Sequence, residues 1–202
     1  MRTILFTRPE HDTTTHYLSS WCKESITLAE QKGIKVFDLN REKAVKSEVE
    51  NRLHKFPSKL VVFNGHGNEN MVTGHKNEPL IVAEQNEHLL QDKMVYAISC
   101  RSAKNLGKRS VAAGAINYIG YEDDFIFLYA TPKISRPLAD ETARPFLEHS
   151  QLYVESLIKG NTVEDSFNRS KENLKINFIK ALDQKNTAAA RFLWWDWKNF
   201  IC

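Results

Sequence analysis

Short apolar runs alternate with helix-period stretches over the first two thirds of the chain. Thr3–Thr7, Ile34–Leu39, Leu60–Asn64, Met94–Ser99 and Ala115–Tyr121 are bounded by polar, Gly or Pro positions and read as strands. Leu60–Asn64 is apolar almost throughout, which predicts a central strand covered on both faces. Between the first two strands, Asp12 or Thr13 can cap a helix whose apolar face is Leu18, Trp21, Cys22, Ser25, Leu28 and Ala29, with Gly33 as its stop. Asn40 is placed to cap a second helix carrying Ala44, Val45, Val49, Leu53 and Phe56, ended by Pro57. Met71–Thr73 and Leu80–Val82 suggest a small hairpin, followed by a short helix over Glu84–Leu90. Ser102 is a candidate cap for a helix over Ala103–Ala113, which Gly114 would end.

A sixth strand is expected over Phe125–Ala130, after the acidic turn Glu122-Asp123-Asp124. Beyond Pro132 the pattern is helical. Leu138–Ile158 reads as two helices or one kinked at Pro145, Gly160 stops it, and Thr162–Leu182 reads as one long amphipathic helix. This order predicts an α/β fold with a mostly parallel central sheet and a helical C-terminal region. Without repeats, low-complexity stretches or linkers, residues 1–202 are expected to form a single domain: a sheet-forming core over 1–131, then a helical part with a Trp-rich tail over 132–202.

Composition adds mainly exclusions. With 42% hydrophobic and 26% charged residues, the 202-residue chain has the balance of a soluble globular protein. A formal charge of +3 with no basic run argues against a nucleic-acid partner. The first apolar stretch is too short for a signal-peptide core and no segment approaches a membrane span, so no membrane partner and a cytoplasmic location are expected. Three scattered cysteines, Cys22, Cys100 and Cys202, do not form a disulfide framework and suit a reducing compartment.

The chemistry concentrates at two strand ends. The third strand runs into Gly65-His66-Gly67, and the fourth ends at Ser99-Cys100. In a parallel sheet both arrive at the carboxyl edge, where such folds place ligands. A thiol beside an imidazole is the minimum equipment of a cysteine nucleophile. Cys100, just before a helix start, would have its thiolate favoured by the macrodipole, and its own N–H could help hold an oxyanion. His66 suits the acid/base role, and its flanking glycines let the backbone turn sharply. Taken singly, a buried cysteine packed as a small hydrophobe and an idle loop histidine are the commoner occurrences; their conjunction is what points to catalysis.

Cys22 falls on an apolar helix face and reads as core, and Cys202 as without a role. His75, after Gly74, could line the cleft, whereas His11, His16, His54, His88 and His149 read as surface or packing residues. A metal site of His66, His75 and Cys100 lacks a further ligand and any familiar spacing, so no metal is expected. No Gly-rich phosphate loop follows the first strand, which disfavours a flavodoxin-like binder and leaves no cofactor expected.

A strand ending His-Gly followed by a strand ending in Cys resembles the caspase-like cysteine peptidases, the clan of caspases, gingipains, clostripain, separase and legumain. The interval from His66 to Cys100 is more similar to that of gingipains and the bacterial CHAT domains than to that of caspases. Leu106-Gly107, the run Gly114-Ala115-Ile116-Asn117-Tyr118-Ile119-Gly120 and Leu157-Ile158-Lys159-Gly160-Asn161-Thr162-Val163-Glu164-Asp165-Ser166 resemble elements that follow the cysteine in that branch. The resemblance spans roughly residues 58 to 175. It implies a three-layer sandwich around the sheet, His66 as general acid/base, Cys100 as nucleophile, and the Gly67 and Cys100 N–H groups as an oxyanion hole. It also implies a protein or peptide substrate, a dyad that need not be a preformed ion pair, and a regulatory partner protein, since this chain carries no repeat or sensor domain. Ile98-Ser99-Cys100 departs from the Gln-Ala-Cys of caspases, so caspase-type aspartate specificity is not implied.

Several members of the clan cut after Arg or Lys, and the position of Asp123 and Asp124 after the fifth strand makes them candidate readers of a basic residue; a solvated acidic turn is the plainer alternative. The tail Phe192-Leu193-Trp194-Trp195-Asp196-Trp197-Lys198-Asn199-Phe200 is expected to pack back on the domain; exposed, it would be a partner site. A caspase-like module without activity, binding a protein through the cleft or this tail, is the alternative to the peptidase.

Overall fold

A computed structural model describes residues 3–202. Five parallel strands, β1 (Thr3–Arg8), β2 (Lys35–Asn40), β3 (Leu60–Asn64), β7 (Met94–Ile98) and β8 (Asn117–Tyr121), form the central sheet, and β9 (Phe200–Ile201) closes its edge antiparallel to β8. The order is β2-β1-β3-β7-β8-β9. A second, three-stranded antiparallel sheet holds β4 (Gly67–Asn68), β5 (Met71–Thr73) and β6 (Pro79–Val82). The helices are α1 (Thr13–Gln31), α2 (Lys46–Lys55), α3 (Lys108–Ala112), α4 (Arg144–Ile158), α5 (Val163–Asp183) and α6 (Thr187–Asn199).

Every residue of β1 and β3 is buried, as expected of strands covered on both faces: β3 is apolar nearly throughout, and β1 has an apolar centre at Ile4–Phe6. Side-chain alternation divides β3 between two cores: Leu60 and Val62 join α1, α4, α5 and α6 on one face, while Val61 and Phe63 join α2, β5 and β6 on the other. Thus the sheet lies between helices on both sides. No helix among the described residues is long and apolar enough to cross a membrane.

The α1 start follows from Asp12, which closes a capping box with Thr15. Asn40 does not cap α2. It ends β2, a 3₁₀ turn follows at Arg41–Lys43, and the Lys46 N–H at the helix start donates instead to the Glu78 carboxylate from the hairpin side, at 2.9 Å. Glu87–Leu90 is a single 3₁₀ turn within the expected helix over Glu84–Leu90. Pro145 occupies the first turn of α4, where it needs no N–H donor, so it starts that helix rather than kinking it.

The expected sixth strand over Phe125–Ala130 is overturned. Two of its N–H groups are taken by buried carboxyl groups: Ile126 donates to Asp196 at 3.1 Å and Ala130 to Asp140 at 2.8 Å. Phe125 and Phe127 turn into the core beside Tyr121 and Tyr17. With those donors spent, the sheet edge goes to β9, whose Phe200 opposes Tyr121. The Trp-rich tail is therefore α6, packed on α5 and returned to the sheet, although Trp194 stays 41% exposed.

His149 is a packing residue, as expected of its helical position, but a fully buried one whose Nε2 faces the Tyr121 hydroxyl. Burial lowers its pKa to about 3. Below pH 6.5 the unfolded chain gains a proton there that the folded chain does not, so this contribution is complete above pH 6.5 and lost as pH falls toward 3. Urea unfolding between pH 6 and pH 4.5 is expected to show up to about 1.4 kcal/mol per pH unit from this one group. His149→Leu removes that slope, and an unchanged slope would refute the assignment.

Candidate functional site

The order of strands reverses at β1 and β3, so the crevice beyond their carboxyl ends is the switch point of the sheet. Three segments meet there: residues 9–12 after β1, residues 65–67 after β3, and residues 99–102 after β7. Asn64 pairs with Ile98 in the parallel register, so His66 and Cys100 each lie two residues past the same rung. The Ser99 hydroxyl donates to the His66 carbonyl at 2.9 Å and ties the two ends together. Gly67 packs so closely on Ser99 that a methyl group there would collide with Ser99 Oγ and with the Met71 carbonyl oxygen. The glycine after His66 is thus demanded by this close approach.

Cys100 is partly buried, and its thiol faces the Phe125 carbonyl at 3.9 Å. Burial, aided by the Asp124 charge, raises its pKa despite the Phe125 contact and the Arg101 charge. The expectation of a thiolate favoured by a helix start is therefore corrected. Ser102 does not cap a helix but donates to the Ser99 carbonyl at 3.2 Å; a π turn at Ala103–Gly107 follows, and α3 has only five residues. So short and irregular a start offers little macrodipole against desolvation. Among the described residues no acceptor takes the Cys100 N–H, which leaves it available to a ligand oxygen.

His66 turns toward the β1 side of the crevice. Its Nε2 lies 2.6 Å from Asp12 Oδ2. The same carboxylate caps α1, accepting from the Thr15 N–H at 2.8 Å. Burial alone would raise the Asp12 pKa, but the Thr15 and His66 hydrogen bonds outweigh it and the net shift is downward. An ionised carboxylate only accepts, so His66 Nε2 carries a proton, and in the neutral ring the free lone pair is on Nδ1.

Asp12 is the site residue that the sequence pattern hides, because as a helix cap it already has a sufficient role. His11, a surface or packing residue by its sequence position, has its ring 6.1 Å from that of His66 and 5.8 Å from that of His75. His75 belongs to this histidine group.

Asp123 and Asp124 follow β8 as expected, half-buried beside Cys100. Asp123 Oδ1 accepts the Asp124 N–H at 2.8 Å, and its carbonyl accepts the Arg101 N–H at 3.1 Å. Asp124 pairs with Arg101 at 3.0 Å, and its carbonyl accepts from Trp195 Nε1 at 2.9 Å. The acidic turn is thereby stapled both to the residue after Cys100 and to α6. A groove of about 300 Å³ lined by Ile126, Arg191, Phe192, Trp194 and Trp195 runs beside it. Cys22 is core, as expected: its thiol accepts from Asn64 Nδ2 at 3.4 Å, and burial pushes its pKa up to about 12.

No family model matches this chain, and no curated protein matches it significantly.

Proposed function

We propose that the chain is a caspase-like cysteine peptidase in which Cys100 is the nucleophile and His66 the general acid/base. The observation that carries this reading is the shared register of β3 and β7, which brings a Gly-His-Gly end and a Cys end to one edge of a parallel sheet. The strand order supports it, with a parallel set completed by an antiparallel edge strand and helices on both faces.

In this mechanism the resting nucleophile is the neutral thiol. A substrate carbonyl entering the crevice meets the Cys100 N–H, with the Gly67 N–H as the second donor to the developing oxyanion. The thiol proton passes to His66 Nδ1 as sulfur attacks, while Asp12 steadies the imidazolium through Nε2–H. His66 returns the proton to the leaving amine, and water then hydrolyses the Cys100 thioester with His66 as base. Asp12 is a positioning residue in this scheme. Asp12→Asn keeps a good helix cap but removes the charge, so the fold is retained while reaction at Cys100 slows at least about tenfold, part of the roughly 10²–10⁴-fold that a positioned acid/base supplies. The pH profile should shift with it, and a slower rate with an unmoved profile would leave Asp12 a capping residue only.

The test is labelling by peptide acyloxymethyl ketones ending in Arg, Lys or Asp. Reaction with a basic probe at Cys100, weakened in an Asp123→Asn, Asp124→Asn double variant, supports cleavage after Arg or Lys. Unchanged preference in that variant removes both aspartates from the specificity reading.

The second reading is a module without activity that binds a protein partner. It is favoured by the His66 ring being engaged with Asp12 and by the exposed Trp194 beside the groove. No labelling by any probe, together with partner capture that survives Cys100→Ala and fails on Trp194→Ala, would favour it.

A further inference from the structure

We propose that His11, Asp12 and His66 form a zinc-binding site at the β1–β3 crevice, one that takes His66 away from Cys100 when filled. One ligand atom from each of the three residues lies within 4.8 Å of the other two. His66 Nε2 is 2.6 Å and His11 Nε2 3.5 Å from the same Asp12 Oδ2. Tetrahedral zinc with legs of about 2.0–2.1 Å sets its ligand atoms roughly 3.3 Å apart, so small side-chain rotations complete the geometry. Two imidazole nitrogens and one carboxylate oxygen are a donor set that zinc accepts, with water in the fourth position.

A separate observation points the same way. The His11 side chain is only 13% exposed, and neither of its buried ring nitrogens has a hydrogen-bond partner among the described residues. Buried polar groups are rarely left so, and an ion accounts for one of these nitrogens. Asp12 is already oriented as a ligand. The Thr15 N–H and hydroxyl fix its Oδ1, which leaves Oδ2 directed at both imidazoles. Asp12 and His66 are 38% and 36% exposed, which gives an ion a way in from solvent.

Binding changes the state of His66. The proton on Nε2 that Asp12 holds must move to Nδ1, the neutral ring changing tautomer, before Nε2 can ligate. Once Nδ1 carries the proton it has no lone pair for the Cys100 thiol. Zinc at this site therefore opposes the acid/base role; that consequence rests on the peptidase reading, whereas the binding does not.

The experiment uses the full chain titrated with Co²⁺, read by its visible absorption, and then displaced by Zn²⁺. The expected result is stoichiometric binding that Zn²⁺ bleaches, equally in wild type and Cys100→Ala, and weakened at least about tenfold in His11→Ala and in His66→Ala. Circular dichroism confirms that the variants are folded. Among the described residues His11 makes no side-chain hydrogen bond, so its loss removes none from them. Absence of bleachable absorption, equal affinity in wild type and both histidine variants, or dependence on Cys100 would each overturn the site. Zn²⁺ should also suppress probe labelling of wild type but not of His11→Ala. If no probe labels the protein, the peptidase reading fails while the cobalt spectrum still decides the metal site.

Discussion

Cys100→Ala is expected to abolish covalent labelling by peptide acyloxymethyl ketones, and His66→Ala to slow it by at least about 10³-fold, with circular dichroism unchanged in both. The expected size follows from the resting state of the thiol. Burial raises its pKa, so little thiolate exists near neutral pH without help. A nucleophile held neutral depends on a proton acceptor at the moment of attack, which makes removal of the imidazole nearly as damaging as removal of the sulfur. Cys22 serves as an internal control, since its thiol is buried with a pKa of about 12 and should stay unmodified. Cys202 is exposed, so the modified peptide must be identified by mass spectrometry. Label found on Cys202, or undiminished in His66→Ala, would remove the dyad.

Phe200→Ala should cost about 3–5 kcal/mol, the range for deleting a buried phenyl ring. Phe200 is fully buried and its ring lies against those of Tyr96, Tyr121, His149 and Phe167. Those neighbours come from β7, β8, α4 and α5, so the cavity cannot collapse without disturbing several elements. For a domain of this size the melting temperature should fall by roughly 6–20 °C. The loss should also loosen the acidic turn, because the Glu122 N–H donates to the Asn199 carbonyl at 3.0 Å, next to Phe200. A change below about 1 kcal/mol would show that β9 is a frayed end rather than the edge of the sheet.

Much of the frame is legible in the sequence because it is written in local pattern. The five parallel strands announce themselves as short apolar runs, and the crevice follows from two of them ending on His66 and Cys100. The long helix expected over Thr162–Leu182 is α5, with Thr162 as its cap. Where local pattern misleads, the deciding groups lie far away in sequence. The apolar run Phe125–Ala130 has the composition of a strand, yet Asp196 and Asp140 claim two of its backbone donors. Lys46 begins α2 on a carboxylate 32 residues later, which no local capping rule can anticipate.

The same division runs through the site. Sequence alone determined which strand ends carry the thiol and the imidazole, because strand length and side-chain type are properties of a few adjacent residues. Tertiary structure alone decided that Asp12 faces His66 across 54 residues of chain, and that His11 joins them. It also decided that the Cys100 pKa is raised, since desolvation depends on the elements packed around the thiol. Pairing partners and local dielectric are set by the whole fold, so charge state and contact at the site emerge only once the sheet has closed.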